Sequence, residues 1–216
     1  MPLVKQYHYE QFPDWCELRK YEICAVKVGE TRQIDTGYPK CAIFPLQGKV
    51  TITADGERYV IDSGKTAPGQ GIVLESGAFT MTTEICKGFY LEEAKVFVCS
   101  GVWPKWAKIA MFHFDRVDHP ENPGTPVDYF SNTCFDNHYH DYDEYWLPLM
   151  GKCTVYSEGI PYTVEPGDCI CTRRGTHHHA AVADGPISSI GFGSRMRQNG
   201  DPGFLWVQTH GEPVED

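Results

Sequence analysis

Pro45-Leu-Gln-Gly-Lys-Val-Thr-Ile-Thr-Ala-Asp-Gly-Glu-Arg-Tyr-Val-Ile-Asp-Ser-Gly-Lys65 returns 103 positions later, without a gap, as Pro148-Leu-Met-Gly-Lys-Cys-Thr-Val-Tyr-Ser-Glu-Gly-Ile-Pro-Tyr-Thr-Val-Glu-Pro-Gly-Asp168. Eight of the 21 positions are identical, from Pro45/Pro148 to Gly64/Gly167. The chain is therefore read as two copies of one unit. Within each copy, β-branched and aromatic residues flank an acidic residue and a glycine, Asp55-Gly56 and Glu158-Gly159. That pattern predicts strand, tight turn, strand, because glycine accepts positive φ without steric cost. Gly (21) and Pro (15) punctuate the rest at short intervals, which favours an all-β sandwich or barrel over alternating β-α units.

Helical signals are few. Asp14 ahead of Trp-Cys-Glu-Leu predicts a short capped helix, and the stretch from Pro104 to Met111 another. The boundary between copies is expected between Val102 and Phe114, giving an N-terminal unit of 1–108 and a C-terminal unit of 109–216, ahead of a Pro/Asn/Gly-rich loop from Asp118 to Val127.

The 216 residues suffice for two small cores. The net charge of −10 argues against nucleic acid and acidic membrane surfaces, both of which reward a positive face. No apolar run is long enough to span a bilayer, and the N-terminus has no secretory signal pattern. Nine scattered cysteines, an odd number, fit reduced thiols in a cytoplasm. Cys169 and Cys171 form a close pair, expected to be buried small residues before a zinc or redox site.

The second copy carries the chemistry. In Asn137-His-Tyr-His-Asp-Tyr-Asp-Glu144, His138 and His140 share one face of a strand of period two, and Glu144 keeps that parity if the strand runs on. Three imidazole and carboxylate donors then converge, and a histidine from Arg173-Arg-Gly-Thr-His-His-His179 can complete a divalent-metal site. His177, His178 and His179 all stand within reach; His178 is preferred for its spacing from Gly175.

These residues resemble the cupin superfamily of double-stranded β-helix barrels. The spacing of His138, His140, Glu144 and Gly151 matches the first family motif, with Asn132 in place of its leading glycine. Gly167, Gly175 and His178 match the second, with Arg173 and Val182 in place of a proline and an asparagine. The resemblance implies a two-barrel bicupin. Shifted by 103, the four ligand positions fall on Asp35, Gly37, Cys41 and Glu75, so the first barrel is expected to lack a metal of this kind and to serve packing, dimer contacts or the walling of the second site.

Three imidazoles and a carboxylate suit one Mn, Fe, Ni, Co or Zn ion per chain and leave open positions for a substrate. Such an ion polarises a chelating carbonyl or, if iron, binds dioxygen. The leading expectation is a sugar or sugar-acid isomerase or epimerase; a non-haem dioxygenase is the rival, and a barrel that binds a small molecule without catalysis the third. Tyr142 is the first candidate for proton transfer, followed by His177 and His179. Trp146 and Tyr145 offer pocket walls, Arg173 and Arg174 an anchor for a substrate carboxylate or phosphate, and Asp141 and Asp143 either imidazole partners or solvent-facing charges. Glu158 reads as a turn residue. Arg195, Arg197, Trp206 and His210 form a tail that lids the barrel or packs on a twin subunit; a homodimer is expected.

Overall fold

The computed structural model describes residues 2–64, 71–83, 92–104, 106–114, 138–183, 185–196 and 204–206. The expected loop from Asp118 to Val127, and Asn132, Arg197 and His210, lie outside them. In chain order the strands are β1 (Leu3–Val4), β2 (Leu18–Lys27), β3 (Thr31–Asp35), β4 (Lys40–Gln47), β5 (Lys49–Ala54), β6 (Glu57–Asp62), β7 (Ile72–Leu74), β8 (Ala78–Thr82) and β9 (Glu93–Gly101). They continue as β10 (Trp106–Phe114), β11 (His138–His140), β12 (Asp143–Met150), β13 (Cys153–Ser157), β14 (Ile160–Val164), β15 (Cys169–Thr172), β16 (His178–Ala183), β17 (Ile187–Met196) and β18 (Phe204–Trp206). Among the described residues no helix is long and apolar enough to cross a membrane.

Four antiparallel sheets make two barrels. One barrel has sheets of order β2-β9-β4-β7 and β3-β8-β5-β6; the other has β1-β15-β12-β17-β10 and β14-β13-β16-β11-β18. The duplicated sequence accounts for the duplicated local structure. Asp55-Gly56 and Glu158-Gly159 take positive φ at both positions, +50° and +82° in one copy, +50° and +74° in the other. These are the two-residue turns whose twist matches antiparallel strands, and they set the registers Ala54↔Glu57 and Ser157↔Ile160. The recurring Pro-Leu pair has a structural echo too. Register slips after Pro45 in β4 and after Pro148 in β12, where proline cannot donate to the ladder.

The chain divides into two compact units, Glu17–Ala110 and Met1–Cys16 with Met111–Asp216. The first 16 residues depart from a cut at 108/109. They go with the second unit because β1 adds a strand to β15, Leu3 opposite Ile170, and because Lys5 Nζ donates to buried Asp168 Oδ2 at 2.6 Å. Gln6 and Glu165 backbone N–H groups donate to the same carboxylate, each at 3.1 Å.

Both expected helices are corrected. Near Asp14 there is a single turn, Cys16 N–H to Pro13 carbonyl at 3.0 Å, before the chain enters β2; a 3-10 turn lies earlier, at Tyr9–Gln11. The stretch 104–111 enters β10, which joins the sheet beside β17, so ladder pairing overrides the weak local helix signal.

Candidate metal centre

The four donors converge, by a different route from simple strand alternation. The strand does not run on in register: β11 ends at His140, and Asp141-Tyr142 carries the chain from one sheet of the second barrel to the other. His138 and His140 therefore come from one sheet and Glu144 from the sheet facing it. His178 lies directly opposite His138 across the β11–β16 ladder. All four residues are buried, between 2% and 8% exposed.

Their donor atoms crowd one point. His138 Nε2 lies 3.2 Å from His140 Nε2, and Glu144 Oε2 lies 2.9 Å from His178 Nε2 and 3.4 Å from His140 Nε2. The three imidazoles each place a nitrogen within 4.8 Å of the others. Donors bound to one ion at about 2.0–2.2 Å sit about 2.9–3.6 Å apart in tetrahedral or octahedral arrangements, so the spacing fits a shared cation. The hydrogen bonding fits as well. His178 Nδ1 donates to the Thr176 carbonyl at 2.9 Å, so in the neutral ring Nε2 presents a lone pair to the Glu144 carboxylate. At that distance either an Nε2 proton or a shared cation lies between the two groups. Burial opposes ionisation of Glu144, but His140 and His178 outweigh it and hold the carboxyl well below its usual range. Burial, against the pull of Glu144, lowers His140 and favours the neutral ring a metal needs.

The turn carrying His178 is tied to both sheets. Arg174 N–H donates to Asp143 Oδ1 at 2.9 Å, and Gly175 N–H to the His140 carbonyl at 2.8 Å. This corrects the expectation that Asp141 and Asp143 face water: both are buried, and Asp143 holds a backbone turn and faces Arg195 Nε at 3.7 Å. Arg173 is exposed, and neither it nor Arg174 lines the cavity beside the donors.

That hollow, too narrow to hold a water molecule, is walled by Trp146, Val155, Ile170 and Ala180, with Thr172 and the donors His138, Glu144 and His178. His179 borders it, but its ring stacks on Tyr156 at 5.1 Å and 6°. Tyr156 alternates with the inward Val155 and Ser157, so the His179 ring is turned to the opposite sheet face from His178, which period-two alternation demands. Tyr142 lies against the His140 ring, centroids 4.4 Å apart and 18° between planes, and packs over Gly193. Burial, reinforced by Glu144 and Asp141, pushes its phenol well above the ordinary value, which favours the protonated form. Glu158 Oε1 accepts the His177 N–H at 2.7 Å, as befits a turn residue. Cys169 and Cys171 are buried, their Sγ atoms 3.8 Å apart, on the face of β15 away from Ile170 and Thr172. Trp206 lies in β18, opposite His138. Thr172, Thr176 and Ala180 were missed by sequence reading; their only signal was proximity to the histidine run.

The same site in the first barrel is found by register. Ile34 faces Phe79 as His138 faces His178, and Cys41 faces Leu74 as Glu144 faces Thr172. Counting along β3 from Ile34 puts Thr36 at the place of His140. The ungapped shift that gave Asp35, Gly37 and Glu75 is corrected to Ile34, Thr36 and Phe79, with Cys41 unchanged. Connections of different length move β3 and β8 out of the 103-residue frame. Asp35 and Glu75 are exposed, and Glu75 pairs with Lys40.

An oxalate decarboxylase from Lactobacillus farciminis superposes with a TM-score of 0.59 over 95% of this chain and 82% of that one, at 10% identity. The fold is that of the cupin superfamily. A vicilin from hazelnut, Corylus avellana, gives a TM-score of 0.52 at 8% identity over 95% of this chain and 82% of its own. In sequence, the chain is 29% identical over 208 residues to the uncharacterised protein y4oW of Sinorhizobium fredii, covering 94% of this chain and 89% of the relative. No family model matches.

Proposed function

We propose that the second cupin barrel is a mononuclear metal centre that transforms a small, carbonyl-bearing metabolite. One observation carries the reading: three buried imidazoles keep a nitrogen each within 4.8 Å of one another, and the Glu144 carboxylate, from the facing sheet, lies 2.9 Å from His178 and 3.4 Å from His140. His138, His140, Glu144 and His178 would hold the ion. Such an ion supplies Lewis acidity to a chelating oxygen or, if iron, a seat for dioxygen.

The chain's own residues do the rest. The Thr176 carbonyl fixes the tautomer of His178, and Asp143 with the His140 carbonyl pins the turn from which His178 projects. Tyr142 covers one face of His140 and, kept protonated, is able to donate a hydrogen bond to a bound oxygen. The hydrophobic walls exclude water from the reacting end of the cavity.

Elemental analysis of protein purified without added metal tests this directly. The expected result is about one transition-metal ion per chain, with His140→Ala retaining less than about a tenth of it while circular dichroism stays unchanged. Equal metal content in parent and variant would overturn the assignment. An oxygen electrode then divides the chemistry: substrate-dependent uptake with iron makes the enzyme a dioxygenase, and oxygen-independent turnover makes it an isomerase or a lyase. Oxalate, the substrate named for the barrels it superposes on, belongs in the first assay panel.

A further inference from the structure

We infer that Tyr142 gates the metal centre: its ring must swing off Gly193 and His140 before a small anion reaches the ion, an inference that rests on the metal reading above. Glu144 pairs with Thr172 on one flank and with Gly193 on the other. On the Thr172 flank the hollow is too narrow for a water molecule, so no ligand reaches the donors that way. On the Gly193 flank lies Tyr142, 6% exposed, its ring stacked on that of His140 with centroids 4.4 Å apart. A divalent ion held by one carboxylate keeps a net positive charge, which draws an anion toward that covered side.

A glycine makes the seat. A Cβ at position 193 would stand 3.1 Å from Tyr142 Cε2, 3.2 Å from its Cδ2 and 3.3 Å from Met196 Sδ, closer than side chains normally pack. The first barrel, whose core has no such donors to cover, puts Ser100 at this place, opposite Cys41. Room for a ring is thus made where the donors are and withheld where they are absent. Tyr142 is also placed to move. It lies in the crossover Asp141-Tyr142, between β11 and β12 rather than inside a strand, so rotation about its side-chain bonds breaks no ladder. A stacked pair of this kind favours the closed arrangement by up to about tenfold, which lowers the apparent affinity of an incoming ligand by the same factor while leaving an open population through which it binds.

The test uses full-length protein loaded with Co(II), mixed with azide and followed in the cobalt visible spectrum. Tyr142→Ala, which removes the ring, should take up azide about tenfold faster and bind it about tenfold more tightly than the parent. Gly193→Ala, which pushes the ring off its seat, should shift both in the same direction by a smaller factor, and Tyr142→Phe, which keeps the ring, should stay near the parent. Parent-like azide binding in Tyr142→Ala overturns this inference alone. So does Tyr142→Phe matching Tyr142→Ala, which would assign the effect to the hydroxyl, and so does loss of cobalt from Tyr142→Ala only, which would make the ring a support for His140. Failure of the parent to hold cobalt overturns the metal reading and this one with it.

Discussion

In one barrel Ile34, Thr36, Cys41 and Phe79 occupy the places that His138, His140, Glu144 and His178 hold in the other. Three of the first four belong to a continuous hydrophobic core with Val50, Ile52 and Met81. Thr36 is engaged locally: its hydroxyl accepts the Tyr38 N–H at 3.3 Å. The same backbone thus closes over hydrocarbon in one copy and over polar donors in the other. Ladders, turns and bulges define the barrel without reference to what fills it, so interior chemistry is free to diverge between duplicates.

The largest effect expected from breaking this comparison is at Phe79. Phe79→Ala in the first barrel should lower unfolding free energy by about 3–5 kcal/mol, the range for emptying a buried aromatic site, and leave metal content unchanged. Urea unfolding with elemental analysis checks both halves. Loss of metal together with stability would mean that the first barrel supports the second's site, and that the division into a structural and a chemical barrel is wrong.

A smaller effect is expected where the barrels differ in their edges. Among the described residues β7 ends its sheet, whereas its counterpart β15 is covered by β1. Asp168 tethers that extra strand: fully buried, it accepts from Lys5, Gln6 N–H and Glu165 N–H. Asp168→Ala should cost about 2 kcal/mol, within the range for hydrogen bonds to a charged group, since Lys5 is 41% exposed and regains water. Hydrogen exchange should locate the loosening in residues 2–5. Protection there equal to the parent would show that strand pairing alone holds β1.

These contrasts explain which parts of the molecule were legible in sequence. The hairpins were, because Asp55-Gly56 and Glu158-Gly159 carry their backbone conformation in their own residue types. His138, His140, Glu144 and His178 were grouped by spacing, although the parity linking Glu144 to His140 fails where the chain changes sheets. The cross-barrel equivalences were not legible. Pairing such as Ile34↔Phe79 is set by ladders between distant strands, and connections of unequal length shift it out of any ungapped alignment. Nor was the wall beside the donors, where Ala180 pairs with Val155 as Met81 pairs with Ile52, and Thr172 with Glu144 as Leu74 pairs with Cys41. β10 was misread because a neighbouring strand outweighs the weak local helical preference of 104–111.

The smallest effect sharpens the comparison at the place of Glu144. Cys41 is fully buried, donates its thiol to the Ser76 carbonyl at 3.2 Å, and is pushed up to about 12, first by burial and then by Cys24 and Asp55. Metal ligation by cysteine needs the thiolate, and at neutral pH this sulfur keeps its proton. It behaves as a small core residue with one weak hydrogen bond. Cys41→Ser keeps a donor for the Ser76 carbonyl but puts a more polar, smaller group among Ile43, Leu74 and Val96. The cost should be about 1 kcal/mol, with metal per chain the same as in the parent. A drop in metal content on this substitution would place a ligand in the first barrel. It would also reverse the sense of the comparison, since the two interiors would then differ in which metal they hold rather than in whether they hold one.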